Sequence, residues 1–147
     1  MKGCIFCNKA NLKGEIFYTT QNFNCVYNIR PVFPGHSLII SKRHMKSVMQ
    51  MNENEVEELP SVVKVVMKAL KKAYKPTGFN IVVQEGKDAG ASINHLHFHI
   101  SPRKKGDLPK NTEWADYFRR HEHTRTNLTK KEMARNVSKV IRAIKKM

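Results

Sequence analysis

The run Asn94-His95-Leu96-His97-Phe98-His99-Ile100 constrains this chain more than any other. Imidazole and apolar side chains alternate strictly. Period two is the period of a strand. His95, His97 and His99 therefore share one face, roughly 6.5–7 Å apart, and Leu96, Phe98 and Ile100 share the other. On a helix the same residues would scatter by ~200° per step. The pattern predicts a strand over residues 95–101 with its apolar face on a core. With seven histidines in 147 residues, a row of three is not casual. Such a row can bind a metal, or supply a nucleophile and proton-transfer groups near neutral pH.

The rest of the chain supplies partners for that strand. Residues 16–20, 24–30, 36–40 and 79–84 are β-branched or aromatic and read as strands, close enough in sequence to pair antiparallel. Pro34-Gly35 is a turn signal, and His36 follows it at a strand start, which places it at a rim. Asn52 with Glu55 forms a capping-box pattern, followed by acids first and lysines last, the order that suits a helix dipole. Val62, Val63, Val66, Leu70 and Ala73 recur at helical spacing, and Pro60 should kink or split the helix. Residues 112–121 read as a short helix. Thr129 with Glu132 opens another, amphipathic through Met133, Val137, Val140, Ile141 and Ile144. The expected fold is α+β: a mostly antiparallel sheet with flanking helices and a C-terminal helical extension. Residues 1–128 form the expected catalytic domain, and 129–147 a basic helix packed on it or extending from it.

At this length one domain is expected, with a core large enough to need no disulfides. Three cysteines, an odd number, argue against a disulfide framework and for a reducing compartment. No apolar run suits a signal peptide or membrane span, so a cytoplasmic protein is expected, or a nuclear one in a nucleated cell. The net charge is 27 − 12 = +15, of which residues 103–147 carry 14 − 5 = +9. Such a field attracts anions, nucleotides or nucleic acid among them.

Two constellations carry chemistry. Gly86, Gly90 and Ser92 lie just before the histidine row, in a small-residue loop that lets backbone N–H groups and a hydroxyl approach an anion. At the N-terminus, Cys4-x-x-Cys7 has metal-ligand spacing, although alone it reads equally as zinc or redox chemistry. His44 and His95 are candidate third and fourth ligands. Two thiolates and two imidazoles would make a closed tetrahedral zinc site with no position for substrate, hence a structural one. Cys25 reads as a core thiol, Trp114 as packing, and His121 and His123 as surface.

The motifs resemble those of the histidine triad family. His95-Leu96-His97-Phe98-His99-Ile100 matches its His-φ-His-φ-His-φ signature, φ being apolar. Residues 28–36 look like its upstream strand–turn–strand, residues 84–90 like its phosphate loop, and residues 102–107 like the run that follows the triad in the fragile-histidine-triad branch. The Cys-x-x-Cys with two histidines is similar to the zinc feature of other members, and the fragile branch usually lacks it.

The resemblance implies nucleotidyl transfer or hydrolysis at the α-phosphate of a nucleotide conjugate, without a catalytic metal. His97 would be the nucleophile, with His36, His99, Gln84 and Ser92 stabilising phosphoryl charge. Asn28, Gly90 and Arg103 would complete the substrate site, Arg103 and the basic tail facing a polyphosphate. Dinucleoside polyphosphates of the diadenosine tri- or tetraphosphate type are the implied substrates. A purine nucleoside phosphoramidase or a phosphorylase is the alternative within the family. A basic, zinc-stabilised protein that holds or processes nucleic acid ends through its C-terminal third is the alternative outside it. The resemblance also implies a homodimer with a sheet continuing between chains.

Overall fold

The computed structural model describes residues 3–8, 10–122 and 126–147. Five strands, β1 (Ile16–Thr19), β2 (Phe23–Tyr27), β3 (Ser37–Ser41), β4 (Gly78–Val83) and β5 (His97–Arg103), form one antiparallel sheet in the order β1-β2-β3-β5-β4. Three helices flank it: α1 (Glu53–Tyr74), α2 (Trp114–Glu122) and α3 (Lys130–Lys145). A 3-10 turn (Val48–Gln50) precedes α1. This is the α+β architecture expected. Among the described residues no helix is long and apolar enough to cross a membrane.

Alternation decides which face each layer covers. Ile39, Phe98 and Ile100 lie with Phe17, Cys25 and Tyr27 in the main core, under Val62, Val66 and Leu70 of α1 and Met133, Val137 and Val140 of α3. Leu38, Ile40 and Val26 fall on the opposite face with Phe6 and Leu12 of the N-terminal segment. Both long helices carry the capping boxes read from sequence, Asn52 with Glu55 and Thr129 with Glu132. Glu55 is also buried under Arg43, whose guanidinium holds its carboxyl below the ordinary range.

Several expectations are corrected. α1 runs unbroken through Pro60. Pro60 is exposed, as is Val56, whose carbonyl it cannot bond, so the lost bond faces water and not the core. The apolar stripe of α1 packs into the core of this chain. α3 packs into the main core, on the side of the sheet away from the histidines. Gly35 closes the turn before β3 at φ +91°, where a Cβ would stand 2.9 Å from both Pro102 and Tyr74.

Candidate active site and metal centre

β5 delivers His97 and His99 to a cavity of about 450 Å³ on the face opposite α1 and α3. Ile5, Phe6 and Leu12 wall one side, and Asn28, Ile29 and Leu38 line it between β2 and β3. Ser92 and Ile93 complete the mouth. Apolar walls interleaved with polar side chains suit a small organic ligand with polar groups of its own.

The hydrogen-bond network assigns the tautomers. The Val32 N–H donates to His36 Nδ1 at 3.1 Å, so His36 carries its proton on Nε2. That Nε2 donates to His99 Nδ1 at 2.9 Å. His99 therefore holds its own proton on Nε2, beside the cavity. His97 Nδ1 lies 2.6 Å from the His95 carbonyl and donates to it, which leaves the Nε2 lone pair of His97 as a base or nucleophile. Burial pushes the pKa of His97 below its ordinary value and that of His99 well below it, helped for His99 by the neighbouring His36 and His97. Both rings are thus neutral near pH 7. Phe118 of α2 packs edge-on against His99 at 5.3 Å and fixes its back.

His36 is not at a rim. It is 0% exposed, does not line the cavity, and meets it through His99 and through Asn28, whose amide lies 3.4 Å from the His36 ring nitrogens. It is a positioning residue.

His95 has a different job from its neighbours. The strand begins at His97, not at residue 95, because the His95 N–H turns back to the Ile93 carbonyl. Its Nδ1 lies 3.3 Å from Cys4 Sγ and 3.6 Å from Cys7 Sγ, and His44 Nδ1 lies 3.2 Å from Cys7 Sγ. All four ligand atoms fall within 4.8 Å of one another. A tetrahedral zinc with ordinary bond lengths sets sulfur and nitrogen about 3.6 Å apart. His95 Nε2 donates to the Ser41 carbonyl at 2.7 Å, which fixes Nδ1 as the unprotonated, ligating nitrogen. The donor set could hold a metal as a closed site.

A HIT-domain family profile matches residues 9–106. This chain belongs to the HIT family. Among relatives of this HIT protein, the Schizosaccharomyces pombe asymmetrical bis(5'-nucleosyl)-tetraphosphatase is 32% identical over 73% of the chain and 59% of that enzyme. The Dictyostelium discoideum bis(5'-adenosyl)-triphosphatase is 33% identical over 69% of the chain and 68% of that enzyme. The chain thus spans well under the full length of the tetraphosphatase it matches. The crystal structure of a hypothetical histidine triad nucleotide-binding protein from Sulfolobus tokodaii superposes with a TM-score of 0.79, at 29% identity, over 97% of this chain and 93% of the other. A zinc-bound histidine triad protein from Mycobacterium smegmatis shares the fold, with a TM-score of 0.72 at 24% identity over 98% of this chain and 94% of that one.

The remaining expected residues of the HIT site divide. Asn28 and Ser92 line the cavity. Gln84 follows Val83, the register partner of Phe98, and so comes out beside His97 on the next strand. Gly90 sits against Gln84, where a Cβ would lie 2.6 Å from its Nε2. Arg103 is not at the site. Its guanidinium is held by Asp107 at 2.7 and 2.9 Å and by Asn80 at 2.6 Å, and lies over the Phe33 ring, so three of its five N–H donors are already engaged away from the cavity. Trp114 packs on Phe118 as expected. Cys25 is buried, its thiol pushed up to about 12. His121 is half-buried against Tyr117 and not simply surface, and His123 lies outside the described residues. Sequence reasoning missed the cavity walls, Glu15 and Asn127 among them. The walls come from segments far apart in sequence, from Ile5 to Asn127, and no local pattern marks them.

Proposed function

We propose that this HIT protein hydrolyses dinucleoside polyphosphates at the α-phosphate through a nucleotidyl-histidine intermediate on His97. The observation that carries the reading is the His97 ring. Its Nδ1–H is held by the His95 carbonyl and its Nε2 opens on a cavity sized for a nucleotide. In this scheme His97 Nε2 attacks the α-phosphorus. A P–N bond forms, the P–O bond to the leaving polyphosphate breaks, and the polyphosphate departs as its anion. Water then attacks phosphorus, the P–N bond breaks and returns its electron pair to His97 Nε2, the water's proton passes to solvent, and a nucleoside monophosphate leaves. His99 Nε2–H, aligned by His36, donates to the developing charge, with Gln84 and Ser92 as further donors. Asn28 and the apolar walls hold the nucleoside, so positioning supplies much of the rate.

Zinc at Cys4, Cys7, His44 and His95 is part of the proposal. Bound there it would cross-link the N-terminal segment to the sheet and supply no reacting position. The homodimer is also part of it. β4 is an edge strand, with Ile81 48% and Val83 39% exposed, and a second copy could pair there.

The deciding experiment incubates the protein and its His97→Ala variant with diadenosine triphosphate, and separately with an adenosine phosphoramidate. AMP and ADP from the first, lost by on the order of 10⁴-fold in the variant, are expected. AMP from the phosphoramidate alone would move the protein to the phosphoramidase reading. Turnover of neither by folded protein would sink the hydrolase reading and favour the nucleic-acid one.

A further inference from the structure

Beside Asn11, Arg30 and Asn127, the cavity is lined by a carboxyl that this chemistry does not use. Glu15 lines it just before β1. Among the described residues its carboxyl has no hydrogen-bond or ion-pair partner, and burial pushes its pKa up to about 7 with no cation to relieve it. A half-buried carboxyl without donors is costly to maintain, which makes sense where the donors arrive with a ligand.

The sheet register says which part of a nucleotide brings them. His99, Leu38, Val26 and Ile16 pair in sequence across β5, β3, β2 and β1 and form one row on the cavity face. Three strand spacings separate its ends, ~14 Å. That is about the reach of a nucleoside 5'-phosphate from phosphorus to the far edge of its base, with a hydrogen bond beyond. His97 and Glu15 lie off opposite ends of that row, three positions apart along the strands, so their backbones stand farther apart, about 17 Å, and the two side chains reaching into the cavity take up the difference. With phosphorus at His97, Asn28 falls toward the ribose and Glu15 toward the base.

We propose that Glu15 reads the base and makes this a guanine site, its carboxylate accepting the N1–H and N2–H of guanine in a two-pronged bond. A carboxylate only accepts. Guanine alone among the common bases presents two adjacent donors on one edge. Adenine and cytosine set an acceptor beside their amino group, and uracil flanks its N–H with oxygens. Paired donors on a carboxylate are short, directional and charge-assisted. The inference rests on the nucleotide-hydrolase reading and adds a preferred base to it.

Calorimetric titration at pH 8 of the unmodified protein and of Glu15→Gln with GMP, IMP and AMP tests it. GMP is expected to bind roughly tenfold or more tighter than AMP, the discrimination a good bidentate base contact gives. IMP, which lacks the 2-amino donor, should fall between. Glu15→Gln, whose amide offers one acceptor and one donor, should lose the GMP advantage while AMP binds at least as well as before. Retained AMP affinity also reports a folded site. Equal GMP and AMP affinities in the unmodified protein would overturn the inference and leave the hydrolase reading standing. So would a Glu15→Gln variant that weakens all three ligands by one factor, which would put Glu15 on the ribose or in the fold. Binding of no nucleotide would overturn both.

Discussion

Gly90→Ala is the sharpest probe of the loop before the histidine row, because the same loop contains its control. Gly86 and Gly90 both have positive φ, +80° and +87°. An alanine at either position pays the left-handed backbone cost, about 1–2 kcal/mol. They differ in what the new methyl meets. At Gly86 there is nothing within 4 Å, whereas at Gly90 the methyl stands 2.6 Å from Gln84 Nε2. The Gln84 amide ends a flexible side chain, so it swings aside at little cost in stability, but it leaves its place beside His97. Gly86→Ala and Gly90→Ala should therefore lose similar stability in urea titration. Only Gly90→Ala should lose kcat/KM, by about 10²-fold, the cost of one preorganised donor to a developing phosphoryl charge. Hydrolysis of a dinucleoside triphosphate, followed by product chromatography, gives the rates. In a Gln84→Ala background Gly90→Ala should add nothing beyond what Gly86→Ala adds. Equal activity of the two glycine variants, or losses at Gly90 and Gln84 that multiply, would refute a donor role for Gln84.

Three further outcomes follow from the geometry. His99 titrates well below its ordinary value in the folded chain, so between pH 6.5 and more acid conditions the unfolded state takes up the proton first. Stability should fall as pH drops below 6.5, and melting curves should show a steeper fall than in His99→Asn; parallel curves would contradict the burial argument. Val140→Ala, at a fully buried α3 position, should cost roughly 2 kcal/mol within one cooperative transition, whereas Ser138→Ala on the exposed face should cost almost nothing; a separate, earlier transition for α3 would show that it is not part of the core. Protein purified without chelators should carry about one zinc per chain by elemental analysis, absent from a Cys4→Ser, Cys7→Ser variant; a metal-free unmodified protein would end the zinc proposal.

The fold was legible because its signals are local. Both capping boxes, the alternation through Phe98 and Ile100, and the Pro34-Gly35 turn each bind residues within a few positions of one another. What sequence misplaced depends on neighbours brought from far away. Pro60 looked like a break because its missing N–H is a local fact, while the solvent around Val56 that tolerates the loss is a tertiary one. Arg103 looked like a phosphate ligand because it follows the histidine row on a basic chain. Asn80, on the neighbouring strand, and Phe33, below it, decide otherwise.

The histidines show the same limit most clearly. The alternation alone makes His95, His97 and His99 equivalent; only the Cys-x-x-Cys and the family resemblance separated them in sequence, and their hydrogen-bond environments come from far away. His95 ends a turn and presents Nδ1 to two sulfurs. His97 begins the strand and spends Nδ1 on the carbonyl that His95 offers. His99 takes a proton's direction from His36, which takes its own from a backbone N–H at Val32. A ring nitrogen becomes ligand, nucleophile or donor according to what its other nitrogen is bonded to. The two are therefore linked through one peptide unit: the ring that would hold the metal and the carbonyl that orients the His97 nucleophile belong to the same residue. Phe6, edge-on to both His95 and His97 at 5.7 and 5.1 Å, joins the N-terminal segment to that unit. A metal that steadied His95 would steady the cavity wall and the His97 tautomer together, without touching a substrate.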